Sequence, residues 1–406
     1  MRLAPHLVSL LVGASALRAP SSFRLDRRRA LQTLGAASLL NGVPLSALAD
    51  ATEFELVVQQ AALLDGLASA PVRNVIVTGA SSGVGLAGAK LLTAAGHQVT
   101  LACRTQAKAD AAVKACNAFA ASSSSAGPTG LADFYSQRRA GGTARGAACD
   151  LSSLSSIRSF AKSVSGEKLD TLVLNAGLSL DATDKTRKAT EDGFELTVGT
   201  NHLGHFALAS LLRPTLAKGS SPRLLVTGSG VHDPATEGGK QGGPEKWAAL
   251  GDLKGFAEQG AQFSMVDGGT FDPDKAYKDS KLCNLLFTAE ASRRLAKKNA
   301  KATAHAFSPG LIPSPDGFFR YQPKFFAKTF NAIATKAGVA ETSEFGGACL
   351  SYVATAPLLD QSTNGWWDTD PPGKHQLLCH LPSAEARSID EQKELWRLSA
   401  GLVGLA

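Results

Sequence analysis

The feature that most constrains this chain is a glycine-rich run, TGASSGVG, at residues 78–85. It follows the short apolar run NVIV at 74–77 and precedes an amphipathic stretch at 84–95. Glycines let the backbone turn tightly here, and the free N–H groups at a helix N-terminus attract phosphate. A strand, a glycine-rich turn and a helix in this order predict a dinucleotide-binding site.

Short apolar runs and longer amphipathic runs continue to alternate along the chain. Buried parallel strands are predicted at 74–77, 98–102, 171–174, 223–226 and 303–307. Helices are predicted at 84–95, 108–120, 154–164, 191–216 and 275–298. The alternation predicts an α/β fold, a doubly wound, Rossmann-like parallel sheet with helices on both faces. A Ser- and Gly-rich run at 122–142 predicts a flexible loop or insertion.

Composition and charge exclude several classes of function. A hydrophobic content of 44% and a charged content of 19% are typical of a soluble globular protein. Of the net charge of +7, residues 1–51 carry +4, so the remaining +3 gives no reason to expect a nucleic-acid partner. The six cysteines show no C-x-x-C pair and no grouping with His, which predicts reduced, mostly buried thiols and no metal site.

Residues 1–51 are predicted to be targeting segments. A first apolar unit ends in the small-x-small site Ala14–Ala16, and a second begins at Arg27–Arg29 and ends at Ala47–Ala49. A secretory-type signal followed by a twin-Arg-like unit resembles the layered targeting of algal plastid proteins. The alternative is one signal followed by a disordered linker. We expect a plastid protein, stromal or thylakoid-associated, with residues 52–71 as a linker or an N-terminal helix.

The end of the second predicted strand indicates which dinucleotide is bound. Sites that favour NAD usually place an acid there to bind the ribose 2′-hydroxyl. This chain has Arg104 instead, with Lys108 one turn further on. Two cations suit a 2′-phosphate, so NADPH is the predicted cofactor. For Lys108, a solvated position at the start of a helix stays an alternative.

Four motifs together resemble the short-chain dehydrogenase/reductases over about residues 72–315. They are TGASSGVG, the pair Asp150-Leu151, the run Asn175-Ala176-Gly177 after the strand predicted at 171–174, and Tyr277-x-x-x-Lys281. Within that superfamily, the runs at 192–206, 250–256, 265–272, 276–284 and 383–405 resemble the light-dependent protochlorophyllide reductases. These runs extend the resemblance over 72–406, which we therefore expect to form one reductase domain with a C-terminal helical extension.

An unusual spacing also favours the narrower family. Ser229 is the only Ser at the end of the strand predicted at 223–226, and Tyr277 follows 48 residues later. The resemblance implies an insertion at 230–274 beside the active site, which could help cover a large, flat pigment. It also places a substrate lid at 311–340. The aromatic residues of that lid are Phe318, Phe319, Tyr321, Phe325 and Phe326.

The proton donor is predicted from spacing on a helix. Tyr277 and Lys281 lie four residues apart, so both face the same side. A nearby ammonium should lower the pKa of the Tyr277 phenol and make it a better acid. The resemblance implies that Ser229 orients the reacting group and that Asn201 positions the lysine through a water. Cys283 points away from Lys281 and is expected to pack.

The remaining cofactor contacts are implied by the family motifs. Asn175 and Gly177 would shape the nicotinamide side of the pocket, and Asp150 would contact the adenine, cap the helix at 154, or do both. The predicted cofactor-binding residues are Gly79, Ser81, Ser82, Gly83, Val84, Gly85, Arg104, Lys108, Asp150, Leu151, Asn175, Ala176, Gly177, Tyr277, Lys281, Pro309 and Gly310.

Two pairs of residues invite functional readings that we do not favour. His202 and His205 have no third His or Cys nearby, so packing and hydrogen bonding near Asn201 is expected rather than metal binding. Trp366 and Trp367 are expected to fill the core rather than line a pigment pocket.

The leading functional hypothesis is NADPH-dependent, light-driven reduction of a ring C=C bond of a protochlorophyllide-like pigment. Leu311 stands where the family has a Cys assigned to the pigment. This departure leaves open a light-independent carbonyl reductase acting on a hydrophobic ketone or aldehyde, or a pigment-binding protein without turnover. Peripheral association with thylakoids and homo-oligomerisation also stay open.

Overall fold

The architecture comes from a computed structural model, which describes residues 56–59, 63, 66–67, 69–121, 141–313, 324–369 and 372–405. The predicted targeting segments, the loop at 122–140 and the aromatic residues Phe318, Phe319 and Tyr321 lie outside these residues. The side chains of Phe325 and Phe326 are also outside the described part.

A nine-stranded sheet forms the centre of the molecule. Its strands in chain order are β1 Leu56–Gln59, β2 Asn74–Thr78, β3 Gln98–Cys103, β4 Thr143–Ala148, β5 Thr171–Leu174, β6 Arg223–Thr227, β7 Thr303–Ser308, β8 Gly365–Asp368 and β9 Gln376–His380. Across the sheet they follow the order β1-β9-β8-β7-β6-β5-β2-β3-β4. The strands from β4 across to β8 are all parallel, which confirms the predicted doubly wound sheet, and β9 runs antiparallel to both of its neighbours.

Helices cover both faces of the sheet. They are α1 Gly83–Ala94, α2 Gln106–Ala121, α3 Leu154–Val164, α4 Gly204–Leu216, α5 Lys254–Glu258, α6 Pro273–Ala296, α7 Lys324–Lys336, α8 Ser343–Thr355 and α9 Ile389–Leu402. A helical turn at Leu196–Val198 and a π-helical turn at Gly199–Leu203 lead into α4. Among the described residues, no helix has both the length and the apolar character needed to cross a membrane.

The helix expected at 191–216 begins later than predicted. Gly193 has a φ of 89°, and Ala189 and Glu195 form a β-bridge, so the chain is still turning at these residues. The carboxylate of Glu195 then accepts the N–H groups of Thr197 and Val198 at 2.8 Å and starts the helical turn. The prediction that residues 191–195 are helical is therefore wrong.

The segment 52–71, expected to be a linker or an N-terminal helix, contains the strand β1 and helical residues at 63, 66–67 and 69, and it contributes to the core. Its strand β1 pairs with β9, and the side chains of Leu63 and Leu67 are fully buried. β1 pairs here because β9 would otherwise be an edge strand with a row of unpaired backbone N–H and C=O groups.

Each face of the sheet has its own apolar core. One lies under α3, α4, α6 and α9, and the other under α1, α2 and α8. Neighbouring residues of a strand point to opposite faces, so Trp366 enters the first core and Trp367 the second. Both are fully buried, as expected. All six cysteines are free and buried, which confirms the prediction for the thiols.

Candidate functional site

The glycine-rich loop lies at the carboxyl end of β2, beside β5, where the connections reverse direction across the sheet. Gly79 and Gly83 have φ values of 65° and 53°. A Cβ added to Gly85 would lie 2.5 Å from Asn175 Nδ2, and one added to Gly79 would lie 2.8 Å from Ala176 Cα. At Gly83 a Cβ would meet nothing within 4 Å, so open space lies in front of the loop.

The N-terminus of α1 faces this space without a capping side chain. Ser82 is extended at the N-cap and makes no side-chain hydrogen bond to the helix, and the first turn carries no acid. The first N–H groups of a helix have no partner within the helix. Free donors, a helix dipole and open space together fit the pyrophosphate of a dinucleotide.

Thr78 was not predicted as a site residue, although it is part of the glycine-rich motif. It joins the glycine-rich loop to the turn at 175–177, which follows β5. Its Oγ1 accepts the N–H groups of Asn175 at 2.8 Å and of Ala176 at 3.0 Å. The side-chain amide of Asn175 donates in return to the Thr78 carbonyl at 3.0 Å. The sequence signal that could have identified Thr78 is a polar side chain at the last residue of a buried strand.

His205 extends this connection to Asn201. Its Nε2 lies 2.9 Å from Thr78 Oγ1, and its Nδ1 lies 3.0 Å from the carbonyl oxygen of Asn201. A carbonyl only accepts, so Nδ1 donates and Nε2 accepts from the threonine hydroxyl. Burial lowers the pKa of His205 to about 3, so the ring is neutral. The expected packing role is thus confirmed, and no metal-binding group of His, Cys, Asp or Glu occurs among the described residues.

The residues expected to select NADPH lie on the surface next to this loop. Arg104 and Lys108 follow β3 at its carboxyl end, and both are exposed. Neither forms a salt bridge within the described part of the chain. Two free cations at the end of the second parallel strand fit a 2′-phosphate.

Asp150 and Leu151 follow β4 at the same edge. The Asp150 carboxylate accepts the N–H and the hydroxyl of Ser152, at 3.0 Å and 2.7 Å. The N-cap of α3 is Ser153, whose side chain accepts the Ser156 N–H, so the alternative role of Asp150 as the cap is wrong. Leu151 is buried and its carbonyl passes close beneath Gly204, which makes its side chain a packing residue.

Ser229, Tyr277 and Lys281 meet at the carboxyl end of β6. The hydroxyls of Ser229 and Tyr277 are hydrogen-bonded to each other. Lys281 Nζ donates to the Thr227 carbonyl at 3.1 Å and lies 5.5 Å from the centre of the Tyr277 ring. The structure therefore brings together three of the four predicted catalytic side chains, and the fourth, Asn201, lies near the same turn at Gly177 as Lys281.

Asn201 is fully buried within the π-helical turn. Its side chain pairs with the backbone of Leu178, accepting the N–H and donating to the carbonyl at 2.9 Å each, and it also donates to Ser280 Oγ at 3.1 Å. A Cβ on Gly177 would lie 3.5 Å from Asn201 Oδ1 and 3.6 Å from Lys281 Nζ. Asn201 and Lys281 therefore flank the turn at Gly177.

The pKa values of the catalytic pair differ from the expectation. Burial raises the pKa of Tyr277 well above its usual range, and the hydrogen bond with Ser229 only partly offsets this. Burial lowers the pKa of Lys281 to about 8. The prediction that Lys281 lowers the pKa of the phenol is thus wrong, because burial raises that pKa and the hydrogen bond that partly offsets burial comes from Ser229. The phenol keeps its proton at neutral pH, as a proton donor requires.

The insertion at 230–274 is held against the first half of α6 by buried charges. Lys275 Nζ binds Asp279 Oδ2 at 2.7 Å, the Ala249 carbonyl at 2.8 Å and Asp267 Oδ2 at 3.0 Å. Lys278 Nζ donates to the Gln241 carbonyl at 2.6 Å. Since these lysines lie on either side of Tyr277 along the helix, the insertion lies beside Tyr277.

Leu311 lies at the same edge, after β7. It is partly buried, and its carbonyl accepts the N–H of Glu341 at 2.8 Å. Gly310 has a φ of 78°, and a Cβ there would lie 2.1 Å from Thr369 Oγ1. Pro309 and Gly310 therefore sit in a tight turn opposite the end of β8. Cys283 is fully buried, and burial raises the pKa of its thiol well above the usual range, so it packs and does not replace the missing thiol.

Comparison with known proteins connects this geometry to one family. The family model described as short chain dehydrogenase matches residues 123–262. "Protochlorophyllide reductase, chloroplastic" of Cucumis sativus is 38% identical over 352 residues, which is 84% of this chain and 80% of the relative. "Protochlorophyllide reductase A, chloroplastic" of Hordeum vulgare is 38% identical over 344 residues, covering 82% and 80%.

Solved structures agree on the fold. An uncharacterized protein from Mycobacterium paratuberculosis is 26% identical with a TM-score of 0.54, covering 83% of this chain and 97% of that one. The RhlG/NADP complex of Pseudomonas aeruginosa is 20% identical with a TM-score of 0.52, covering 76% and 96%. At that level of identity the second match shows the fold alone.

Proposed function

The chain belongs to the protochlorophyllide reductase family of short-chain dehydrogenase/reductases, and we propose that it reduces a ring C=C bond of protochlorophyllide to give chlorophyllide in a light-driven reaction of chlorophyll biosynthesis. It is an NADPH-dependent oxidoreductase of the plastid. The observation that carries the proposal is the contact between Ser229 and Tyr277 beside Lys281, in a chain that is 38% identical to reductases of this name.

The residues for NADPH are those that line the open loop. Gly79 to Gly85 and the N-terminus of α1 would hold the pyrophosphate, and Arg104 with Lys108 would bind the 2′-phosphate. The backbone at 150–151 would meet the adenine, and the turns at 175–177 and 309–310 would enclose the nicotinamide. When bound, NADPH supplies a hydride.

Tyr277 would supply the proton to one of the two carbons of the reduced bond. Its raised pKa keeps the phenol protonated until a basic site on the substrate approaches. The Ser229 hydroxyl orients the phenol by their hydrogen bond. Lys281 is held by the Thr227 carbonyl, and its ammonium would stabilise the phenolate left after the transfer.

Light has a specific place in this proposal. A ring C=C bond is poorly polarised compared with a carbonyl, so its reduction in the ground state is difficult. Light absorbed by the pigment would make the bond electron-poor. The protein then needs only to orient the pigment, exclude water and deliver the proton.

Leu311 favours a second candidate function, a light-independent carbonyl reductase. It lies where the family has a cysteine, and the six cysteines of this chain stand at other positions and are buried. An apolar side chain there would suit a hydrophobic ketone or aldehyde. A carbonyl is polarised enough to be reduced in the dark with Tyr277 as the only proton donor.

One experiment distinguishes these functions. Mature protein, NADPH and protochlorophyllide are mixed in the dark, given a single flash and followed by absorption. Appearance of chlorophyllide only after the flash supports the proposal. Pigment bound without conversion would indicate a binding protein, and NADPH oxidation in the dark with hydrophobic aldehydes would indicate the carbonyl reductase.

A further inference from the structure

His232 is a buried histidine that neither the motifs nor the proposed chemistry uses. It ends the one-turn 3-10 helix Gly230–His232, whose N-cap is Ser229. Its Nδ1 lies 2.7 Å from the Ser229 carbonyl oxygen, and its Nε2 lies 3.2 Å from the backbone nitrogen of Ser383. The ring also packs edge-on against Trp366, with 5.0 Å between ring centres.

The two partners define the state of this ring. A backbone carbonyl can only accept a hydrogen bond, and a backbone N–H can only donate one. Nδ1 must therefore carry the proton, and Nε2 must be unprotonated. Burial lowers the pKa of His232 to about 4, so the neutral ring is also the stable form at physiological pH.

The position of the Ser383 N–H is fixed because the C-terminal segment, residues 381–405, is hydrogen-bonded to the insertion, to α6 and to the turn before α4. Glu385 accepts the N–H of Leu250 in the insertion at 3.0 Å. Gln392 accepts from Arg293 on α6 at 2.6 Å. Ser399 Oγ lies 2.9 Å from Nε2 of His202, in the turn before α4.

We propose that His232 is a positioning residue that holds the Ser229 hydroxyl against Tyr277 and ties it to the C-terminal segment. The inference rests on the proposed function. Apart from the ring, the Ser229 carbonyl has one other described contact, the N–H of His232 at 3.1 Å. Without Nδ1–H the Ser229 carbonyl would keep only that longer bond, and the Ser229 hydroxyl would be fixed only by the weak bond that it accepts from the Val231 N–H at 3.4 Å. Its approach to the phenol would then be less well defined.

Two substitutions separate positioning from packing. His232→Asn keeps a donor close to the Nδ1 position, whereas His232→Gln keeps an acceptor close to the Nε2 position and loses the donor. Asparagine leaves the larger void against Trp366, so a packing role predicts that the Asn variant is the worse of the two. A positioning role predicts the opposite order of activity.

The test measures light-driven turnover of wild type and both variants at saturating NADPH. We expect His232→Asn to lower kcat by at most about threefold, and His232→Gln to lower it by about tenfold or more, with KM and NADPH affinity unchanged. In a Ser229→Ala background, His232→Gln should have no further effect. An equal loss in both variants, a larger loss in the Asn variant, or an added loss in the Ser229→Ala background would overturn the inference.

A second measurement needs no substrate. Protein labelled with nitrogen-15 histidine, with His232 assigned from its loss in His232→Asn, should show the neutral ring with the proton on Nδ1. If wild type fails to convert protochlorophyllide, the proposed function fails while this spectrum still tests the geometry. A proton on Nε2, or a charged ring at neutral pH, would overturn the positioning arrangement.

Discussion

At the ends of β2 and β5, one hydroxyl joins the two loops that face the cofactor, since Thr78 accepts the N–H groups of Asn175 and Ala176. At the end of β6, Ser229 is held differently. Its carbonyl binds His232, whose ring reaches the C-terminal segment 151 residues further along the chain. The cofactor half of the site, which consists of the loops after β2 and β5, is built from motif residues. The catalytic half, at the end of β6, also depends on the insertion at 230–274 and on the C-terminal segment.

Tyr277→Phe should produce the largest effect and touch only the catalytic half. Loss of the proton donor should lower light-driven product formation by about a hundredfold or more. NADPH affinity should stay close to that of wild type, because the phenol is not part of the glycine-rich loop. Single-flash absorption and NADPH fluorescence titration measure the two quantities.

The matched control is Tyr352→Phe, a buried tyrosine packed near Trp367 and Gly66 on the other face of the sheet. It should convert pigment like wild type. Equal activity of Tyr277→Phe and wild type would rule out Tyr277 as the proton donor.

Gly85→Ala tests the cofactor half in the same way. Its Cβ would lie 2.5 Å from both the Asn175 side chain and the Gly79 carbonyl, so the loop must move. We expect NADPH affinity to fall by more than about tenfold. Gly166→Ala is the control, since a Cβ there meets nothing within 4 Å. If Gly85→Ala binds NADPH normally, the loop is not packed against Asn175 as described.

Arg104→Ala should have a smaller and more selective effect. Removing one charge-assisted contact should weaken NADPH binding by about tenfold and leave NADH binding unchanged. Arg397→Ala, which removes an exposed arginine paired with Glu394, is the control. Equal losses for both cofactors would show that Arg104 does not contact the 2′-phosphate.

Acid should affect the two halves alike, because each contains a buried neutral histidine. Burial lowers the pKa of His205 to about 3 and of His232 to about 4, below the 6.5 of a free histidine. The unfolded chain therefore binds more protons between these values, and stability falls as the pH drops below about 6.5. Each histidine should contribute roughly 3 kcal/mol of this loss by pH 4.

Urea unfolding from pH 7 to pH 5 measures the slope. His232→Asn should make it shallower by about one proton, and His205→Asn by the same amount. A slope that does not change in the His232 variant would contradict the dry, neutral state of that ring.

Local patterns accounted for much of the fold. The amphipathic period of 154–164 predicted α3 at its observed bounds, and all five predicted strands are present. Four strands were not predicted, namely β1, β4, β8 and β9. They are short, and they form through pairing between segments far apart in the chain. The helix predicted at 191–216 begins later because Gly193 has a positive φ, and the turn at this residue interrupts the helical pattern.

The glycine-rich loop, the Tyr277-x-x-x-Lys281 helix and the cations at 104 and 108 could be predicted from the amino-acid sequence, since each depends on residues close together in the chain. Three further features follow from the folded structure: the pKa of Tyr277, the pairing of Asn201 with Leu178, and the contact of His232 with Ser383. These depend on burial and on partners brought together only by folding. A motif can specify which groups take part in the chemistry. Desolvation and hydrogen bonds to residues distant in the sequence set their protonation states and orientations.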